Sequence, residues 1–286
     1  MYSRRDFLAM TSASLLLGGS GLAGAQTAGN NQTSHITLKK GLAGAAPEVS
    51  GLRTSWYYDW GVNTSTKGVP LHDASIRFVP MCWGWNPRSL SLIEKLRSQK
   101  PSLLFGFNEP DHTDQSNLTV EAALEAWPNL QGIATELVSP SCAQPQSEWM
   151  QTFIASAEKS KLQVDSIGFH HYGSPEPEDF IGLLDKVHDM YRRPIWVTEF
   201  AAADWQAKEG GPSNRYTEQQ MIDFMQAVCK FMEETSWVRG YAWYPWGKPG
   251  AGGPLSVSSF FDADGKLTRF ADARRVVMQL ALAEKK

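Results

Sequence analysis

The sequence predicts an α/β fold: a (β/α)8 barrel of the TIM type, with one strand short or degenerate. Three observations carry this. Strand-like apolar runs alternate with amphipathic, helix-like segments through a single domain spanning 47–286, the pattern of a parallel sheet covered by helices. Two of the runs, Leu103–Glu109 and Ile195–Phe200, are apolar or uncharged until an acid near the end, Glu109 and Glu199. No G-x-G-x-x-G follows any strand-like run, so the open dinucleotide-binding sheet lacks its fingerprint.

Taken in order, residues 1–25 read as a signal peptide. Arg4-Arg5 precede Phe7-Leu8, a mild apolar stretch follows, and Ala23-Gly24-Ala25 forms a small-x-small cleavage site, the layout of a twin-arginine signal. This predicts export to the periplasm or beyond. Residues 26–46, rich in Gly, Ala, Asn and Thr, read as a tether. Strand-like runs follow at 52–60, 76–83, 103–109, 137–143, 165–173, 195–200 and 238–246. Helix-like segments lie at 87–98, 119–137, from Ser147 to about Ala157, and at 178–192. A further helix opens at Thr217, where Gln220 completes a capping box, and a last one runs to Glu284 after a hairpin at Asp264-Gly265. Seven strands are visible in the 286 residues; an eighth is expected between Trp60 and Ile76.

Composition narrows the function. The formal charge is −3, and −4 once Arg4, Arg5 and Asp6 are removed, which offers little to a phosphate backbone and excludes nucleic acid as the natural partner. No later segment is long and apolar enough to span a membrane. Three scattered cysteines, Cys82, Cys142 and Cys229, are not a disulfide framework and read as buried thiols; at most one bridge could form, and Cys82 with Cys142, both near strand ends, is the favoured pair. Eleven tryptophans are more than packing requires, so some should line a binding surface.

In a barrel of this kind the site lies at the C-terminal strand ends. The chemically useful side chains gather there: Trp56, Tyr58, Trp60, Trp83, Trp85, Asn108, Glu109, Ser139, His170, His171, Tyr172, Glu199, Trp243 and Trp246, with Trp205 in the following loop. Two strand-end glutamates facing each other suit glycoside hydrolysis with retention, which needs carboxyls about 5–5.5 Å apart, one an acid and the other an ionised nucleophile. Aromatic planes suit the C–H faces of sugar rings. Adjacent strand residues point to opposite faces, so His170 and His171 cannot share an ion, and neither metal nor cofactor is expected.

The strings F-G-F-N-E-P-D, S-P-S, F-H-H-Y-G, W-V-T-E-F and Y-A-W-Y-P-W, in this order, resemble glycoside hydrolase family 128, clan A retaining enzymes acting on β-1,3-glucan. The resemblance spans about 50–275. It implies that Glu109 ends strand 4 as acid/base and Glu199 ends strand 7 as nucleophile. It further implies that Asn108 holds the sugar 2-hydroxyl and that His171 or Tyr172 hydrogen-bonds the nucleophile. The expected protein is a monomeric, endo-acting β-1,3-glucanase. The alternatives are another clan A β-glycanase, on β-1,4-glucan or mannan, and a non-catalytic β-glucan-binding protein on the same barrel.

Overall fold

The computed structural model describes residues 39–44, 54–63, 76–244, 252–260, 262, 266 and 268–270, all within the compact unit Ile36–Lys286. The hairpin at Asp264-Gly265, the last helix and Trp246 lie outside the described residues, as does the signal segment.

Eight parallel strands form one curled sheet: β1 (Lys40–Ala43), β2 (Trp56–Tyr58), β3 (Arg77–Phe78), β4 (Leu103–Leu104), β5 (Glu136–Cys142), β6 (Ser166–Gly173), β7 (Ile195–Ala202) and β8 (Val238–Trp243). Their order is β3-β2-β1-β8-β7-β6-β5-β4. The circuit is not closed by a full ladder. Between β3 and β4 there is the isolated bridge Met81↔Phe105, with Cys82 N–H donating to Phe105 O at 3.0 Å and Asn108 N–H to Trp83 O at 2.9 Å. The architecture is therefore TIM-like, with one seam held by single bonds.

The eighth strand is not where it was expected. Trp56 and Tyr57 of β2 pair directly with Arg77 and Phe78 of β3, leaving no place between them in the sheet. The additional strand is β1, inside the stretch read as tether, between β2 and β8. Its sequence, Lys-Gly-Leu-Ala, hides it. It has one large apolar residue, and Gly41 is required because a Cβ there would come within 2.2 Å of the Trp56 ring. The barrel thus begins before residue 47.

Five helices are described: α1 (Pro87–Gln99), α2 (Val120–Ala126), α3 (Glu148–Lys159), α4 (Pro177–Tyr191) and α5 (Glu218–Glu234). Caps set their starts. Asn86, Thr119, Ser147 and Thr217 each accept a backbone N–H of the first turn, and Thr217 with Gln220 forms the expected capping box. The helix expected over 119–137 stops at Ala126, because Pro128 cannot donate into an α ladder and the chain tightens into a 3-10 turn at Trp127–Leu130.

Two apolar layers result. One contains only strand residues and adjoining segments, including Trp56, Tyr58, Met81, Phe105 and Trp196, and fills the barrel interior. The other lies between sheet and helices and includes Ile93, Phe153, Phe180, Phe224 and Trp243. Cys82, Cys142 and Cys229 are all buried thiols with no disulfide joining them, and burial pushes the Cys82 thiol up to about 12.

Candidate active site

Strand alternation decides which side chains meet. On β6, His170 and Tyr172 face one way and His171 the other, and β7 pairs His170 with Glu199. Glu199 is 3% exposed and sits within β7, where the register with both β6 and β8 shifts. Three donors converge on its carboxylate. Tyr58 donates its hydroxyl to Oε1 at 3.0 Å, the Trp60 indole N–H donates to the same oxygen at 2.8 Å, and Tyr172 donates to Oε2 at 2.5 Å. Burial, reinforced by the Glu199 charge, holds the Tyr58 phenol well above its ordinary range, so it remains a donor.

Glu109 is placed differently. β4 has ended, and the backbone at Glu109 takes a left-handed φ of 41° before Pro110. Such a conformation costs about 1–3 kcal/mol for a residue with a Cβ and persists only where the surroundings enforce it. They do so here. Glu109 N–H donates to Ser141 O at 2.8 Å, and the Asp111 carboxylate accepts the N–H groups of Ala143 at 2.8 Å and Gln144 at 3.0 Å, tying the loop to the end of β5. Burial pushes the Asp111 carboxyl up, opposed by those two hydrogen bonds. The Glu109 side chain is fully buried, with Oε1 3.0 Å from His170 Nδ1. The same nitrogen is 3.8 Å from Glu199 Oε2.

One oxygen of each glutamate and the His170 nitrogen lie within 4.8 Å of one another. Three such groups could encircle a cation. The three donors on Glu199 take three of the roughly four lone-pair sites of its carboxylate, which makes it a poorly available ligand. The arrangement instead suits two carboxyls acting on one bond. One oxygen of each lies within 4.8 Å of the other, an approach of the close kind that retention uses and short of the roughly 6.5–9.5 Å that inversion needs to admit a water.

The family model of the glycosyl hydrolase catalytic core matches residues 38–273. The chain belongs to that family. This glycosyl hydrolase is 27% identical over 228 residues to alkali-sensitive linkage protein 1 of Schizosaccharomyces pombe; the match covers 74% of the chain but 39% of that longer protein. Among solved structures it resembles a family 128 (subgroup I) endo-β-1,3-glucanase from Amycolatopsis mediterranei, in complex with laminaritriose. That likeness has a TM-score of 0.69 and 27% identity, over 84% of this chain and 100% of the other. A family 128 (subgroup VII) oligosaccharide-binding protein from Trichoderma gamsii shares the fold, with a TM-score of 0.66 and 23% identity over 89% of this chain and 98% of the other. The barrel alone therefore does not separate enzyme from binder; the glycosyl hydrolase reading rests on the family match and the paired glutamates.

The sequence-selected residues divide sharply within this glycosyl hydrolase. Glu109, His170, Glu199, Tyr58, Trp60 and Tyr172 come together. Asn108, 3% exposed, precedes the acid and donates its Nδ2 to Gln115 Oε1 at 3.2 Å. Trp83 packs at the top of the interior layer with Trp60. Trp85 is half-buried and leans on Phe107, toward the helices. Trp205 is 57% exposed, its indole N–H donating to Tyr172 O at 2.8 Å.

Four candidates for sugar contact are placed elsewhere. Trp56 fills the barrel interior, edge-on to Trp196 at 5.3 Å. Ser139 joins strands: its hydroxyl donates to Pro140 O and accepts Gly168 N–H at 2.9 Å, where the β5–β6 register shifts. His171 lies against Phe180 of α4, 5.5 Å between ring centres. Trp243 is buried beneath the helices against Phe200 and Phe224. His171 and Trp243 are each one residue out of phase with a side chain that faces the site, and a period of two sends them to the other layer, whereas Trp56 shares the phase of Tyr58 and stays within the interior.

Two site residues were missed. Tyr244, the next after Trp243, stands 6.1 Å from the Trp60 ring and 5.7 Å from Tyr172, and completes an arc of rings, Tyr58–Trp60–Tyr244–Tyr172–Trp205. Alternation along β8 was the available signal. Gln115 lies in a loop and carried none.

Proposed function

We propose that this glycosyl hydrolase is a retaining, endo-acting β-1,3-glucanase. The observation that carries the retaining chemistry is the 4.8 Å grouping of Glu109, His170 and Glu199, with three donors on Glu199 alone. The laminarioligosaccharide complexes of the Amycolatopsis enzyme support the substrate class.

In the first step Glu199 attacks the anomeric carbon and Glu109 gives its proton to the departing glycosidic oxygen, leaving a glycosyl ester on Glu199. In the second, Glu109 takes a proton from water, which cleaves the ester and restores both groups. Tyr58, Trp60 and Tyr172 keep the Glu199 lone pairs directed before attack. The arc of rings ending at Trp205 offers C–H-stacking faces beside the nucleophile, and Asn108 holds the sugar 2-hydroxyl. The protein works as an exported monomer, carried by the twin-arginine signal at its start; Arg4-Arg5 and the small-x-small site support this. Among the described residues no helix is long and apolar enough to cross a membrane.

The test is release of reducing ends from laminarin, compared with lichenan, xylan and mannan. Preferential release of short laminarioligosaccharides supports the assignment. Release from xylan or mannan alone would transfer the enzyme to another β-glycanase activity, and laminarin binding without any release would make it a binder.

A further inference from the structure

We propose that Gln115 is a positioning residue that orients the Asn108 side chain, so that Asn108 presents its carbonyl oxygen, not its NH2, to the sugar 2-hydroxyl. The inference deepens the proposed hydrolysis and rests on it.

The loop after Glu109 folds back over the end of β4. Leu118 N–H donates to Pro110 O at 3.1 Å, Ser116 N–H to Asn108 O at 3.3 Å, and Gln115 N–H to His112 O at 3.0 Å. These bonds bring Gln115, 5% exposed, against Asn108. Its Oε1 accepts Asn108 Nδ2 at 3.2 Å. The Asn108 backbone is fixed independently, by its N–H to Trp83 O at 2.9 Å and by its pairing with Ser141. Only the rotation of the amide is left for Gln115 to decide.

That rotation leaves Asn108 Oδ1 buried with no hydrogen-bond partner among the described residues. A buried acceptor left unsatisfied is destabilising. It adjoins the catalytic acid, where a sugar hydroxyl would satisfy it. The orientation also suits the chemistry. Positive charge developing at the anomeric carbon makes the neighbouring 2-hydroxyl a stronger donor, so a carbonyl oxygen facing it gains in the transition state over the ground state. An NH2 group turned to the same hydroxyl would lose by the same change.

Gln115→Met keeps the length of the side chain and removes the acceptor; Gln115→Glu keeps the acceptor. Each is assayed at the top of its own pH profile on an aryl β-laminaribioside and on the analogue lacking the 2-hydroxyl of the reacting sugar. Gln115→Met is expected to lower kcat on the parent by about 10–100-fold with little change in KM, and to leave the deoxy analogue within about twofold of the native enzyme. Gln115→Glu is expected to stay within about threefold on both. Equal slowing of both substrates by Gln115→Met would overturn the inference and make Gln115 a structural residue. A loss in Gln115→Glu as deep as in Gln115→Met would overturn it too, since Asn108 would then not be donating to Gln115. Inactivity of the native enzyme on both substrates would instead overturn the hydrolase assignment, and this inference with it.

Discussion

The two walls of the site are built by opposite means. Glu199 lies in the middle of a ladder, on backbone that any residue could adopt, and its environment is made of side chains: two phenols and an indole from β2, β6 and the turn after β2. Glu109 lies past the end of a two-residue strand, on left-handed backbone that main-chain hydrogen bonds hold in place, with His170 Nδ1 beside its carboxyl. The contrast fits the work assigned to each. A nucleophile must stay ionised with its lone pairs aimed, which fixed donors accomplish. An acid/base must hold and release a proton during the cycle, and a ring of donors locked on its oxygens would oppose that. The Glu199 wall should therefore be sensitive to loss of single hydrogen bonds, and the Glu109 wall to loss of position.

The strongest way to break this contrast is to remove the charge on one side. Glu199→Gln is expected to abolish hydrolysis of every substrate, by at least about 10⁴-fold in kcat, because no other group can form the ester. Measurable turnover of an aryl glycoside by this variant would reject Glu199 as nucleophile.

Glu109→Ala should be selective. On laminarin the loss is expected at about 10²–10⁴-fold, the usual worth of a positioned general acid, whereas an aryl glycoside whose leaving group needs no proton should still form the glycosyl ester and show a burst. Full activity on laminarin would show that Glu109 is not the acid.

The Glu199 wall is sharpened by single donors. Tyr172→Phe should lower kcat by about 10–10³-fold, in the range for loss of one preorganised donor, with thermal stability nearly unchanged because the ring remains against Tyr244 and Trp205. A Tyr172→Phe enzyme with native kcat would mean that the short bond to Glu199 does not matter to the chemistry.

The smallest effect belongs next to the site but outside it. Burial holds the His171 imidazole below its usual value of 6.5, with Asp179 partly opposing. Below that pH the unfolded chain binds the proton more readily than the folded one, so stability falls as pH drops and recovers as pH rises. Nε2 of His171 is buried without a hydrogen-bond partner among the described residues. His171→Phe should leave laminarin hydrolysis unchanged and reduce the fall in Tm between neutral pH and about pH 5, by about 2 °C or less for a chain of this size. A loss of activity would return His171 to the site.

Much of this was legible in the chain. The apolar runs ending in Asn108-Glu109-Pro110 and in Thr198-Glu199-Phe200 marked both carboxylates, because a strand buried on both faces reads as a continuous apolar run in which a single acid stands out. The caps at Ser147 and Thr217 announced their helices, because that hydrogen bond is local. β1 was hidden. Four residues with one leucine carry no periodicity, and the strand exists through its neighbours on both sides, β2 and β8. Phase was hidden as well. His170 against His171, or Trp243 against Tyr244, differ only in which face of the sheet they occupy.

What the sequence determined by itself, then, was chemical identity and local punctuation: two glutamates at strand tips, a proline after the first, and tryptophans near both. The tertiary structure decided which of these side chains meet. Glu109 and Glu199 are 90 residues apart in the chain and have carboxylate oxygens within 4.8 Å in space, because parallel ladders carry β4 through β7 around one curl. The same curl placed Trp56 in the interior and Trp243 under the helices. Whether an aromatic ring faces a sugar or a core depends on strand phase and strand neighbours, and these are properties of the curled sheet, which no single strand contains.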